Sequence, residues 1–345
     1  MNREVYPELE PVISSAQEML HALQNPGMKT RMKNALRALK SGSPLGERDR
    51  IFWPAGLLLV GLAEAGQTGT VEQELSGWKK SGAPIQFPDD ALTGFALLTA
   101  EDAAGERTYG QDVRRMAEFL YAAPKDAGQS ILYNPHRGNE YIFADGAGQT
   151  AMFLSRYSVR YHDQEAGRLA RRQLSEFREY GFDEAAGLPY HAYERSTRLC
   201  HGMIGWGRAA GWLMMGSSVY AADHPEDAGM RENFLSLEEA LFRYQREDGG
   251  FGWQIPGIKG PADTSGSAMI GWAAAQAMQH GIGIPGLADR LTDLRVFLQS
   301  HIRDGRVLQA QGECVDFGMY RPQFGSFPWG QGAGLAFLAR MDKHL

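Results

Sequence analysis

The sequence predicts an all-α fold, an (α/α)6 barrel of six inner and six outer helices with short hairpins on its rim. Six helix starts share one design, in which a Trp or Asp precedes glycines, small residues and an apolar run. Amphipathic, charge-rich segments lie between these starts. Helices that are apolar on all sides become buried, so their alternation with amphipathic helices indicates two concentric layers. The unequal spacing of the starts also fits a less regular helical bundle.

The six apolar helix starts define the predicted inner layer. They begin at Trp53, Asp90, Asp145, Trp206, Asp263 and Trp329. After the second start they recur roughly every 60 residues, which is about one helical hairpin with its loop. The small residues at each start allow the inner helices to approach one another closely at the centre.

The amphipathic segments define the predicted outer layer, because their apolar residues recur at spacings of three and four against charged faces. These segments are 12–23, 29–39, 71–80, 112–121, 164–180, 232–246 and 288–301. Turn residues and some strand character predict rim hairpins within 129–143, 187–193, 248–255 and 304–307.

Composition limits the classes of function. The chain has 345 residues, 43% of them hydrophobic and 22% charged, and no linker divides it, so a single domain over residues 1–345 is expected. Its net charge of −6 and the lack of a long Lys/Arg run argue against a nucleic-acid partner. With no run of about 18 apolar residues and no signal-like N-terminus, we expect a cytoplasmic protein without a membrane partner.

The sequence also lacks the patterns of common metal and cofactor sites. Its two cysteines, Cys200 and Cys314, lie far apart, and no HExxH spacing occurs, so we expect neither a disulfide framework nor a metal site. No P-loop is present and no GxGxxG follows a strand, so no cofactor is expected. The oligomeric state stays open.

The segment 206–212 (WGRAAGW) is the most informative local feature. Arg208 and Trp212 lie four residues apart, so on a helix the indole would support the guanidinium and leave its donors pointing outward. Together with Trp206 and a helix N-terminus, this favours a ligand with a flat apolar face and a carboxylate, such as a sugar acid. The alternative is a Trp-rich core helix.

The ordered motifs resemble those of the unsaturated glucuronyl and rhamnogalacturonyl hydrolases, glycoside hydrolase families 88 and 105. The matching segments are Asp145-Gly146 before an apolar helix, 187–191 (GLPYH), 206–212 (WGRAAGW) and 264–268 (TSGSA). Their order and spacing hold from about residue 50 to the C-terminus. The resemblance implies an (α/α)6 barrel and a substrate that is an oligosaccharide ending in a C4=C5-unsaturated uronic acid.

The resemblance also implies roles for individual residues. Asp145 would be the catalytic general acid/base, with Asp90, or less favourably Asp89, as a second aspartate. Substrate contacts would come from His191, Trp206, Arg208, Trp212 and His136. One departure concerns substrate choice, since the family often has a histidine about eleven residues before the catalytic aspartate, where this chain has Asn134 with His136 nearby.

Other interpretations of these residues remain open. Asp145 and Asp90 could be helix N-caps, and Asp263 is predicted to be one, because aspartate is a favoured capping residue. His191 could be a core or loop histidine, and Trp53 and Trp329 are predicted to pack at the rim. The alternative functions are a sugar epimerase on the same barrel, which needs central histidine bases, and a non-catalytic carbohydrate-binding helical protein.

Overall fold

The computed structural model describes residues 9–25, 27–28, 32, 51–133, 140–314 and 319–343. Within these ranges the chain forms twelve α-helices that alternate between an outer and an inner layer. The outer helices are α1 (Glu10–Gln24), α3 (Thr68–Ser81), α5 (Gly110–Ala122), α7 (Gln164–Tyr180), α9 (Ala228–Phe242) and α11 (Leu287–Ser300). The inner helices are α2 (Trp53–Glu64), α4 (Ala91–Ala104), α6 (Ala144–Tyr161), α8 (Gly207–Asp223), α10 (Thr264–Met278) and α12 (Pro328–Asp342).

The inner helices form a closed ring. Each packs against the next in chain order, and α12 packs against α2. Each outer helix contacts an inner helix, so the predicted (α/α)6 barrel is confirmed. The predicted outer segment 29–39 falls largely outside the described residues.

Glycines allow the inner helices to approach as closely as the ring requires. A Cβ added to Gly61 of α2 would lie 2.5 Å from the carbonyl oxygen of Gly332 in α12, where the ring closes. A Cβ on Gly148 of α6 would lie 2.2 Å from the carbonyl oxygen of Trp212 in α8. Side chains at these two positions would force the helices apart, so both glycines have a steric reason.

Short antiparallel strands form the rim. They are β1 (Tyr141–Phe143), β2 (Phe182–Asp183), β3 (Leu188–Pro189), β4 (Ala192–Glu194), β5 (Cys200–His201), β6 (Ile302–Arg303), β7 (Arg306–Val307), β8 (Ala310–Gln311) and β9 (Phe324–Gly325). They pair as the sheet β1-β4-β5 and the hairpins β2-β3, β6-β7 and β8-β9.

Three of the four rim predictions need correction. In segment 187–193, β3 pairs with β2 while β4 pairs with β1 and β5, so the segment forms no hairpin of its own. Segment 248–255 forms no hairpin of its own, because Gln254 bridges to Trp206 and Gly252 bridges to Ala262. In segment 129–143 the only strand among the described residues is β1, and it pairs with β4 instead of a strand within the segment. The β8-β9 hairpin was not predicted. No helix in the described part of the chain is long and apolar enough to cross a membrane.

Candidate active site

The N-terminal ends of the inner helices meet at one end of the ring, which we call the mouth. Asp90 directly precedes α4, Asp145 lies in the first turn of α6, and Asp263 is the N-cap of α10. The starts of α8 and α10 touch, since a Cβ on Gly266 would lie 2.9 Å from the backbone of Gly207. The shared helix-start motif therefore brings distant aspartates to one end of the barrel.

Asp145 and His191 face each other at the mouth. The Oδ2 atom of Asp145 lies 3.2 Å from Nε2 of His191. Oδ2 is buried and has no hydrogen-bond partner among the described residues, so the contact with His191 is a close approach without hydrogen-bond geometry, while 16% of the side chain remains exposed. Oδ1 makes no hydrogen bond with the described residues and is not buried as Oδ2 is, so it accounts for the exposed part of the carboxyl group at the mouth. One oxygen of this carboxyl group thus faces a histidine and the other faces the solvent.

Backbone pairing places His191 at this position. Phe143 at the end of β1 is opposite Ala192 at the start of β4, and the amide of Ala144 donates to the carbonyl of His191 at 2.9 Å. The imidazole is 5% exposed, and its ring centroid lies 4.5 Å from that of Trp206 and 5.2 Å from that of Phe143. The aromatic rings fix the imidazole beside Asp145.

Asp89 and Asp90 belong to the short 3₁₀ helix Pro88–Asp90, and their side chains have different environments. Asp90 is fully buried, and its Oδ2 accepts hydrogen bonds from the amides of Gln86 (2.8 Å) and Phe87 (3.1 Å), upstream of the helix that it precedes. Asp89 is 8% exposed, and its Oδ2 accepts from the hydroxyl of Tyr133 at 3.3 Å. Asp90 therefore holds its own loop, and Asp89 extends toward the tyrosine.

Tyr133 connects this turn to Asp145. Burial raises the pKa of Tyr133 well above its ordinary value, and the negative charges of Asp89, Asp145 and Asp90 raise it further, so its hydroxyl stays protonated. A Cβ on Gly146 would lie 2.6 Å from the Tyr133 ring, so the glycine after Asp145 makes room for that ring. The glycine of this Asp-Gly pair therefore has a steric reason.

Arg208 is engaged by the β8-β9 hairpin. Its Nη1 donates to the carbonyl of Gln311 at 2.8 Å and its Nη2 to the carbonyl of Gly312 at 2.9 Å. The side chain is buried, which lowers the pKa of Arg208, and the charges of Asp263 and Asp145 oppose that shift. The expectation that its donor fork points outward is wrong for two of the five N–H groups, because backbone carbonyls accept from them.

The aromatic support of Arg208 also differs from the prediction. Its guanidinium lies 4.7 Å from the ring centroid of Trp206 and 5.5 Å from that of Trp329, and these rings take the place predicted for Trp212. Trp212 is 1% exposed, and its backbone packs against Gly148. Trp206 is 2% exposed and donates through Nε1 to Oε1 of Gln311 at 2.7 Å. Sugar contacts by these two indoles stay predictions.

Gln311 forms hydrogen bonds with four residues at the mouth, which are Trp206, Arg208, Asp263 and Trp329. Its backbone amide donates to Oδ1 of Asp263 at 2.9 Å, and its carbonyl also accepts from Nε1 of Trp329 at 2.8 Å. Asp263 caps α10 through the amides of Ser265 and Gly266, which confirms its predicted role. Trp329 packs on Trp53 with ring centroids 5.1 Å apart, as predicted for the rim.

Sequence reasoning missed three residues that the structure brings to the mouth, namely Tyr133, Gln311 and Tyr320. None of them belongs to a recurring helix start. Tyr133 follows a bridge between Lys125 and Ile131, and the other two lie on the unpredicted β8-β9 hairpin and its loop. His136 lies outside the described residues, and its substrate contact stays a prediction. Among the described residues no group of three or more His, Cys, Asp or Glu side chains is placed to hold a metal ion.

The family model for Glycosyl Hydrolase Family 88 matches residues 35–344 of this chain. No curated protein matches this chain.

The fold is shared with several solved structures. One, from Klebsiella pneumoniae, is a possible member of GH105 family, with 16% identity, a TM-score of 0.82, and coverage of 100% of this chain and 96% of that chain. The family 105 glycoside hydrolase of C. acetobutylicum has 18% identity, a TM-score of 0.71, and 91% and 99% coverage. The unsaturated glucuronyl hydrolase of Bacillus sp. GL1, responsible for the degradation of glycosaminoglycan, has 15% identity, a TM-score of 0.67, and 84% and 86% coverage.

Proposed function

Because this chain belongs to glycosyl hydrolase family 88, we propose that it releases a C4=C5-unsaturated uronic acid from the end of an oligosaccharide. The observation that carries this proposal is the carboxyl group of Asp145, with one oxygen facing His191 and the other reaching the mouth. Such a group can deliver a proton to a bound substrate. The fold shared with an unsaturated glucuronyl hydrolase supports the choice of substrate class.

The proposed reaction hydrates an enol ether. Asp145, as the acid, donates a proton to C4 of the unsaturated ring, and the positive charge that develops at C5 is stabilised by the ring oxygen. Water then adds to C5 and gives up its proton to the Asp145 carboxylate, which restores the acid. The resulting hemiketal opens and releases the rest of the oligosaccharide. One water is consumed, and no nucleophile on the protein is needed.

We propose Asp89 as the second carboxyl group of the site in preference to Asp90. The Oδ2 of Asp90 is already used by two backbone amides, and the residue is fully buried. Asp89 is linked through the Tyr133 hydroxyl to the surroundings of Asp145.

The role predicted for Arg208 changes with its contacts. Two of the five N–H donors of this guanidinium already bond the carbonyls of Gln311 and Gly312, which fixes its orientation and leaves fewer donors for a uronate carboxylate. We propose that Arg208 holds the hairpin and contributes positive potential at the mouth, where it lies within electrostatic range of Asp145. This potential favours an anionic substrate without direct contact.

The test is a panel of lyase-generated disaccharides with unsaturated galacturonyl or glucuronyl ends. The C4=C5 bond of these sugars absorbs in the near ultraviolet, and hydration removes the absorbance. We expect the wild-type protein to remove it from at least one disaccharide, with release of the free aglycone sugar. The saturated disaccharides serve as controls and should stay intact. Undiminished absorbance across the panel would contradict the proposal, and a stereochemical change with retained absorbance would indicate an epimerase.

A further inference from the structure

Tyr320 lies on the far side of His191 from Asp145. Its hydroxyl is 3.0 Å from Nδ1 of His191, and the amide of Met203 donates to the same hydroxyl oxygen at 2.9 Å. The ring centroid of Tyr320 lies 5.2 Å from that of Trp206, which also packs on His191. The imidazole is thus held between a phenol and a carboxyl group.

The donors and acceptors at Tyr320 favour one position for the histidine proton. The Met203 amide can only donate, so it uses an acceptor position of the phenol oxygen. The oxygen keeps a second acceptor position, but Nδ1 of His191 is the hydrogen-bond acceptor in reach of the Tyr320 hydroxyl among the described residues, so a hydroxyl hydrogen directed at Nδ1 is satisfied. A nitrogen that accepts this bond carries no proton, so in the neutral imidazole the proton is on Nε2, which faces Asp145.

We propose that Tyr320 is a positioning residue that fixes His191 in the Nε2-protonated form, so that the Nε2 hydrogen of His191 is on the side of the ring that faces Oδ2 of Asp145. The catalytic consequence rests on the function proposed above, whereas the position of the proton does not. With the Nε2 hydrogen facing Oδ2, the acidic proton of Asp145 is favoured on Oδ1, the oxygen on the side of the mouth. In the other tautomer Nε2 would accept, and it would draw that proton away from the substrate.

The surrounding backbone is built for this contact. Gly202 has a φ of +85°, and a Cβ there would lie 2.6 Å from Cβ of His191 and 2.7 Å from the Tyr320 hydroxyl. A side chain at this position would therefore push the two partners apart. Burial raises the pKa of Tyr320 above its ordinary value, so the phenol keeps its proton at neutral pH.

The hairpin that carries Tyr320 is anchored to the mouth at its base. Arg208 bonds the carbonyls of Gln311 and Gly312, and Asp263 accepts from the amide of Gln311. The amide of Gly312 donates to the carbonyl of Gln323 at 2.7 Å, which closes the loop behind Tyr320. Arg208, a residue predicted to bind substrate, thereby supports the position of a tyrosine that acts on His191.

The first test measures the proton directly in the full-length protein labelled with ¹⁵N-histidine. At about pH 8, where imidazole is neutral, the ¹⁵N shifts distinguish the protonated ring nitrogen from the unprotonated one. The His191 signals are identified by their absence in His191→Gln. We expect a protonated Nε2 in the wild type and a mixture of both tautomers in Tyr320→Phe. A protonated Nδ1 in the wild type would overturn the proposal, whatever the outcome of the disaccharide assay.

The second test uses the disaccharide that the wild type hydrates. We expect Tyr320→Phe to lower kcat about 10-fold, the effect of one lost hydrogen bond, with KM changed by less than about twofold. Tyr190→Phe, which removes a hydroxyl beside His191 in sequence, is the matched control and should behave as the wild type in both tests. An unchanged kcat in a Tyr320→Phe protein with mixed tautomers would overturn the catalytic role of the contact while leaving the proton assignment intact.

Discussion

The two ends of the inner ring treat buried carboxyl groups differently. At the C-terminal ends of the helices, Glu64 of α2 is 1% exposed and pairs with Arg340 and with Lys343 (3.3 Å), while Nε1 of Trp272 donates to it at 3.3 Å. Burial opposes ionisation, but the two cations outweigh it, so the pKa of Glu64 lies below its ordinary value. At the mouth, Asp145 has one contact, with His191, and no cation bonds it among the described residues.

The two carboxyl groups therefore suit different purposes, Glu64 for stability and Asp145 for contact with a substrate. A carboxylate whose oxygens are all bonded to cations and donors stabilises the ring but has no free position for a substrate. An aspartate with one oxygen at the surface contributes little to stability and is available for proton transfer. Substitutions at the two ends should therefore have opposite consequences.

The largest effect is expected at the mouth. Asp145→Asn removes the proposed proton donor while keeping the shape of the side chain, so hydration of the unsaturated disaccharide should slow by about 10²–10⁴-fold. Since the carboxyl group has one polar contact, the free energy of unfolding should change by about 1 kcal/mol or less. Absorbance loss and urea unfolding measure the two quantities. Full turnover in Asp145→Asn would show that another group supplies the proton.

The opposite pattern is expected at the other end of the ring. Glu64→Gln removes the negative charge between Arg340 and Lys343 and leaves a mostly buried guanidinium without its counter-ion. Breaking a buried pair in this way costs about 3 kcal/mol of unfolding free energy, which urea titration would detect. At a temperature where the variant stays folded, kcat should be close to that of the wild type. A kcat loss as large as that of Asp145→Asn would remove the distinction between the two ends.

The two ends also differ in what the sequence could predict. The inner helices were predictable because buried helices are apolar on every side, and Asp145 because it opens one of them. The partners of Arg208 were not, since Gln311 lies 103 residues away on a hairpin of two-residue strands that leave no periodic signal. Asp89 and Asp90 are adjacent in sequence, and only the direction of each side chain in the folded turn separates their roles.

Glu238 of α9 offers a third environment, a buried carboxyl group with neither a cation nor an open mouth. Its Oε2 accepts from the amide of Ile284 at 2.9 Å, Oε1 has no hydrogen-bond partner among the described residues, and burial raises the pKa of Glu238 to about 7. A raised pKa means that the folded state holds the proton more tightly than the unfolded chain, so stability is full below about pH 4.5 and is lost as the pH rises through 7. The free energy of unfolding should fall by roughly 2 kcal/mol between about pH 5 and pH 8 because of this group. The matched variant is Glu238→Gln, whose side chain cannot ionise. Relative to the wild type, its free energy of unfolding in urea should therefore increase as the pH rises from about 5 to 8. If the difference between the two proteins stayed constant with pH, Glu238 would already be ionised in the folded protein, as Glu64 is beside its two cations.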